Sequence, residues 1–117
     1  MACGILVVED DAELREMMAE LLRCEGFEPA CACNGLEALD RLKRGFRPHV
    51  ILLDLMMPVM DGWQFRREQE KDPAVSDIPV VVATAAPLEA IRPVHATAVL
   101  QKPLDFDETV AVIRQYC

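Results

Sequence analysis

Four apolar runs in this sequence stop abruptly on polar residues, and no other feature narrows the possible folds as much. Ile5 to Val8 ends at Glu9, Asp10 and Asp11; Val50 to Leu53 ends at Asp54; Ile78 to Ala83 ends at Thr84; the shorter Val99 to Gln101 ends at Lys102 and Pro103. Runs too short to be helices yet apolar at successive positions read as strands buried on both faces. The run before Asp54 is the most apolar and suits the middle of a sheet. Glu28 to Cys33 is a weaker fifth candidate.

Helix-period segments alternate with these runs. Leu14, Met17, Met18, Leu21 and Leu22 recur at i, i+3, i+4, i+7 and i+8, with Asp11 placed to cap the helix and Gly26 to end it. That spacing puts the methionines in the core. Asn34-Gly35 turns into a second helix carrying Ala38, Leu39 and Leu42, and after a loop containing Pro58 and Gly62 a third helix runs from Trp63 to about Gln69 with Phe65 inward. Pro87 and Pro93 leave room for only a short helical turn between them. Asp105 with Glu108 forms a capping box for a last helix whose stripe is Phe106, Val110 and Ile113. Alternating strands and helices predict an α/β fold, a parallel five-stranded sheet covered on both faces.

At 117 residues, 52% hydrophobic and 27% charged, the chain fits a single domain over 1–117 whose core needs neither disulfide nor metal. Twenty acidic against twelve basic residues give a net charge of −8, which repels phosphate backbones and anionic membranes, so no direct nucleic-acid binding is expected. Cys3, Cys24, Cys31, Cys33 and Cys117 show no zinc spacing, and their odd number fits a reduced, cytoplasmic protein. Cys31 and Cys33, two apart on a strand, are core packing. No apolar stretch approaches the roughly 18 residues of a membrane span, and no export signal opens the chain.

In an open parallel sheet the ligand site lies at the carboxyl ends of the strands, where the strand order changes direction. With the order 2-1-3-4-5, Glu9, Asp10, Asp54, Thr84 and Lys102 all converge there. Neighbouring strands lie about 4.8 Å apart, and two oxygens on one Mg²⁺ are at most about 4.2 Å apart, so Asp10 and Asp54 can share an ion. Three carboxylates this close would drive one to bind a proton unless a cation sat among them. Hard oxygen donors without histidine or thiolate favour Mg²⁺, which keeps open positions for phosphate. Thr84 adds a hydroxyl, and Lys102 is long enough to reach Asp54 across two strand spacings, about 10 Å. Singly, such residues are usually caps, turns or surface groups. Together they describe phosphoryl transfer to Asp54, giving an acyl phosphate.

The motifs ILVVEDD, VILLDLMMPVMDG, VVVATAA and VLQKPLD, in this order across the whole chain, resemble the receiver domain of two-component response regulators. The resemblance implies a flavodoxin-like, CheY-like (βα)5 sandwich, in which Pro87 and Pro93 leave the fourth helix shortened. It also implies a phosphorelay receiver that takes its phosphoryl group from a sensor histidine kinase or a phosphotransfer protein in a Mg²⁺-dependent reaction. Asp54 would be the phosphoacceptor. Asp10 would bind the metal directly, Glu9 through water, and Met56 through its backbone carbonyl. Thr84 matches the switch hydroxyl and Lys102 its basic partner, followed by Pro103 in a linkage that is often cis. The implied output is control of an unidentified protein target by a cytoplasmic monomer or weak homodimer, with no enzymatic activity beyond its own phosphorylation and dephosphorylation and no output or DNA-binding domain in this chain.

Two positions depart from the family's pattern. The interval from Thr84 to Lys102 is about one helical turn short, and Val99 stands where an aromatic residue is usual. The alternative is therefore a receiver-like interaction module that works without phosphorylation. A phosphatase of the haloacid-dehalogenase type would carry its nucleophile on the first strand, and a flavin-binding module would need a Gly/Ser/Thr-rich loop where EDDAEL stands.

Overall fold

The computed structural model describes residues 2–117, so Met1 of the expected 1–117 span lies outside the described residues. Strands β1 (Gly4–Val8), β2 (Glu28–Ala32), β3 (Val50–Leu53), β4 (Val80–Thr84) and β5 (Ala98–Gln101) alternate with helices α1 (Ala12–Cys24), α2 (Gly35–Lys43), α3 (Gly62–Glu70), α4 (Leu88–Ile91) and α5 (Phe106–Arg114). All pairings are parallel, in the order β2-β1-β3-β4-β5, so the winding reverses between β1 and β3. Val8 pairs with Leu53 and Leu53 with Val82. That register leaves Glu9 and Asp54 side by side, each one residue past its strand.

Alternate side chains of the same strands feed two cores. Leu6, Val8, Ile51, Leu53, Val80 and Val82 meet α2, α3 and α4, whereas Ile5, Val7, Val50, Leu52, Val81 and Ala83 meet α1 and α5. Burial on both faces is why the strands read as continuous apolar runs rather than alternating ones, and each buried aliphatic contributes about 1.5–3 kcal/mol.

The helices follow the expected boundaries with three differences. In α1, Met18, Ala19 and Leu22 are buried while Met17 is 52% exposed, correcting its placement in the core. Met17 sits at the outer margin of the stripe, and Ala19 takes the inner position. At α5, Asp105 accepts the Glu108 N–H, but the Glu108 side chain does not return the bond, so only half of the anticipated box forms. A complete capping box, Asp61 with Gln64, instead starts α3 inside the stretch read as loop.

The fourth helix is a single turn that continues as a 3₁₀ turn at Arg92–Val94, in keeping with Pro87 and Pro93. Its free carbonyls find donors on α3. The Trp63 indole donates to the Ala90 carbonyl at 2.7 Å, and the Arg66 guanidinium donates to that of Val94 at 3.1 Å.

Cys3 and Cys117 form a disulfide, against the expectation from the cysteine set of a reduced protein. The pairing follows from topology: the lead-in to β1 and the end of α5 come together although 114 residues separate them. Spacing in the sequence carries no trace of this. Arg114 fastens the same region by donating to the backbone carbonyl and the carboxylate of Glu25.

Gly62 has no room for a side chain, since a Cβ there would lie 2.5 Å from the Asp54 carbonyl oxygen and 2.6 Å from the Leu55 Cα. Gly62→Ala should therefore lower stability by about 2 kcal/mol in urea unfolding, and an unchanged midpoint would show that the backbone yields there. The disulfide closes a long loop, and its loss should cost about 2–4 kcal/mol. Dithiothreitol should lower the melting temperature of the native chain but not that of Cys3→Ser, which should already melt at the lower value.

Candidate functional site at the carboxyl edge of the sheet

Each polar residue of the site follows directly from a strand. Glu9 continues β1, its N–H donating to the Ala32 carbonyl at 3.1 Å, and Asp54 continues β3, its N–H donating to that of Val8 at 3.0 Å. Asp10 is one residue further and exposed. Asp11 turns the chain into α1 as its N-cap, accepting from the Glu13 and Leu14 N–H groups. Thr84 ends β4, and Lys102 follows β5 with its N–H on the Thr84 carbonyl at 3.0 Å. The Lys102–Pro103 peptide is cis.

Glu9, Asp10 and Asp54 each place a carboxylate oxygen within 4.8 Å of the others. Lys102 joins them from the far side of the sheet. Its Nζ lies 2.6 Å from Glu9 Oε1 and 3.3 Å from Asp54 Oδ2. Glu9 Oε2 accepts the Asp11 N–H and Asp54 Oδ1 accepts the Met56 N–H. Thr84 is fully buried, and its hydroxyl oxygen accepts the Ala86 N–H at 3.2 Å. Four of the residues singled out in the sequence, Glu9, Asp10, Asp54 and Lys102, thus form one cluster. Thr84 stands at the end of the adjoining strand without bonding to them, and Met56 flanks Asp54 with its carbonyl free of protein donors among the described residues.

One ammonium serves two buried carboxylates, and the protonation equilibria reflect it. Burial pushes the Glu9 carboxyl above its ordinary range and the Asp54 charge adds to the rise, outweighing the opposing pull of Lys102 and the Asp11 N–H. Burial works against the Lys102 ammonium, but its bond to Glu9 and the charge of Asp54 more than offset that and raise its pKa. Three acidic side chains thus face a single ammonium at this edge. Its donors are all oxygens, three of them carboxylates, on one open edge, which fits a small hard divalent cation.

Reading the sequence missed two contacts. Arg15 donates to the Glu9 carbonyl, and Glu9 is the nearer partner of Lys102. The spacing of Arg15 six residues after Glu9 signalled nothing, because a helix surface arginine is usually solvated.

The sequence pattern of the response regulator receiver domain matches residues 5–114. A CpxR homolog of Haemophilus influenzae, a transcriptional regulatory protein, is 38% identical over 94% of this chain. The chain spans 48% of that protein's length. The polar-differentiation response regulator DivK of Brucella anthropi is 31% identical over 99% of this chain and 97% of its own. Among solved structures, the receiver domain of a sensor histidine kinase from Pseudomonas aeruginosa PAO1, with a magnesium ion coordinated in its active site cleft, superposes with a TM-score of 0.89 at 25% identity, covering 99% of this chain and 98% of that one. Among the described residues, no helix is long and apolar enough to cross a membrane.

An acid that holds its proton more tightly in the folded than in the unfolded state makes folding less favourable as pH rises past its ordinary range. Glu9→Gln removes that cost while Lys102 keeps Asp54. In the presence of EDTA the variant should melt higher than the native chain at pH 7, the gap closing as pH falls through the glutamate range. Equal melting temperatures at pH 7 would count against the burial-driven rise at Glu9.

Proposed function

Because the chain belongs to the response regulator receiver domain family, we propose that it is a phosphorelay receiver that accepts a phosphoryl group on Asp54 from a sensor histidine kinase or phosphotransfer protein. The observation that supports this best is the position of Asp54: 4% exposed at the switch point of the sheet, beside two further carboxylates and held by the Lys102 ammonium. An ordinary buried carboxylate is either neutralised or removed from charge of its own sign. This one lies beside charge of its own sign and shares a single ammonium with Glu9.

In this reading Asp54 Oδ attacks phosphorus as the donor's N–P bond breaks, and the electron pair of that bond returns to the donor nitrogen. Asp10, Asp54 and the Met56 carbonyl would hold Mg²⁺, with Glu9 reaching it through water. Bound there, the ion supplies neutralisation of charge on the phosphoryl oxygens. Lys102 serves the same end from the other side, moving from a carboxylate to a phosphoryl oxygen. The Thr84 hydroxyl, released from Ala86, can donate to a second one, which couples phosphorylation to the backbone ahead of α4. The domain then acts in the cytoplasm on a protein target, as a monomer or weak homodimer, with only its own phosphorylation and hydrolysis as chemistry. A reducing cytosol would hold Cys3 and Cys117 open as thiols.

The test is labelling by acetyl phosphate with Mg²⁺, read as a phosphoryl mass shift on the intact protein, with and without reductant. The native chain should be labelled, Asp54→Asn should not be, and Asp10→Ala should lose labelling together with Mg²⁺ affinity by calorimetry. Labelling that persists in Asp54→Asn would refute the assignment. A native chain that takes no label from either acetyl phosphate or a phosphorylated kinase would favour the phosphorylation-independent module.

A further inference from the structure

Asp10 poses a positioning problem, for its carboxylate makes no hydrogen bond or ion pair with the protein among the described residues, unlike Glu9 and Asp54. Its direction is therefore set by its own backbone. That backbone lies past the end of β1, where the sheet no longer supports it. The carbonyls of Glu9 and Asp10 accept one group between them, the Arg15 guanidinium, whose Nη1 lies 2.8 Å from the first and 3.4 Å from the second. Arg15 stands on the first turn of α1, half-buried, with no carboxylate as ion-pair partner among the described residues. The Glu9 side chain is meanwhile tied to Lys102 and to the Asp11 N–H.

We propose that Arg15 is a positioning residue for the metal site. It grips the Glu9–Asp10 backbone by its carbonyl oxygens and so aims the Asp10 carboxylate at the cluster while leaving both oxygens of that carboxylate free for the ion. The inference rests on the metal-binding reading given above. It also carries a sign that charge alone reverses. A guanidinium near a cation site repels the cation, so on electrostatics alone its removal tightens metal binding. As a clamp, its removal loosens binding, because the loop must then be ordered when the ion arrives.

The experiment titrates Mn²⁺ against the native chain and against Arg15→Ala, Arg15→Gln and Asp10→Ala, reading free ion by electron paramagnetic resonance, with melting curves alongside. Arg15→Ala should raise the Mn²⁺ Kd about tenfold, the low end for groups that support a ligand. Arg15→Gln, whose amide can satisfy one carbonyl, should raise it less, and it carries the test should the alanine variant fold poorly. A purely structural role would lower the melting temperature and leave Kd unchanged in the folded protein. An unchanged or lower Kd in the folded Arg15 variants, with binding lost in Asp10→Ala, overturns this inference and leaves the metal site standing. Undiminished binding in Asp10→Ala overturns the metal reading and the inference with it.

Discussion

Lys102 leaves the end of β5, spans the ends of β4 and β3, and places its ammonium between Glu9 and Asp54. Three strands, β1, β3 and β5, meet in that one contact. Two largely buried carboxylates this close would repel each other and pay for desolvation, and a single cation between them offsets part of both. The offset is incomplete, as the upward shift at Glu9 records. An edge left short of positive charge is stable enough to persist yet gains from any cation that arrives. A site of this kind favours ligands over a closed internal ion pair.

The parallel sheet makes that arrangement possible. Parallel strands bring all their carboxyl ends to one edge, and burial on both faces fixes the register to the residue. A slip of one position between β1 and β3 would exchange the two cores and part Glu9 from Asp54. Gly62 fixes α3 just as closely, since its Cα packs against the carbonyl of Asp54 where no Cβ fits. The loop between them includes Val59, which is 75% exposed and held at φ 71°, a conformation that costs a β-branched residue about 1–2 kcal/mol. That cost falls in the stretch linking the central acid to α3.

Most of this was legible in the sequence for a definite physical reason. Strand ends are marked where apolar runs meet Glu9, Asp54, Thr84 and Lys102, and parallel topology turns a list of ends into a place. The shortened fourth helix followed from the two prolines that bracket it. Contacts that depend on helix rotation or on chain closure were not legible. Met17 and Ala19 differ by half a turn that a stripe of five residues does not resolve. The Cys3–Cys117 pair needs the ends of β1 and α5 placed in space, and Arg15 acts on backbone oxygens, which leave no mark in a pattern of side chains. Resemblance to the receiver family supplied what residue spacing could not, chiefly the proposal that the Met56 carbonyl is a metal ligand.

The bond from the Trp63 indole to the Ala90 carbonyl has a practical side as well. This is the sole tryptophan of the chain, set at the seam between the α3 helix and the one-turn α4 that follows the buried threonine. Its emission is unmixed with signal from any other indole, and its one hydrogen bond lies across that seam. The protein thus carries an intrinsic optical gauge of whether the segment beyond β4 is seated or displaced, readable on the native chain with no label attached.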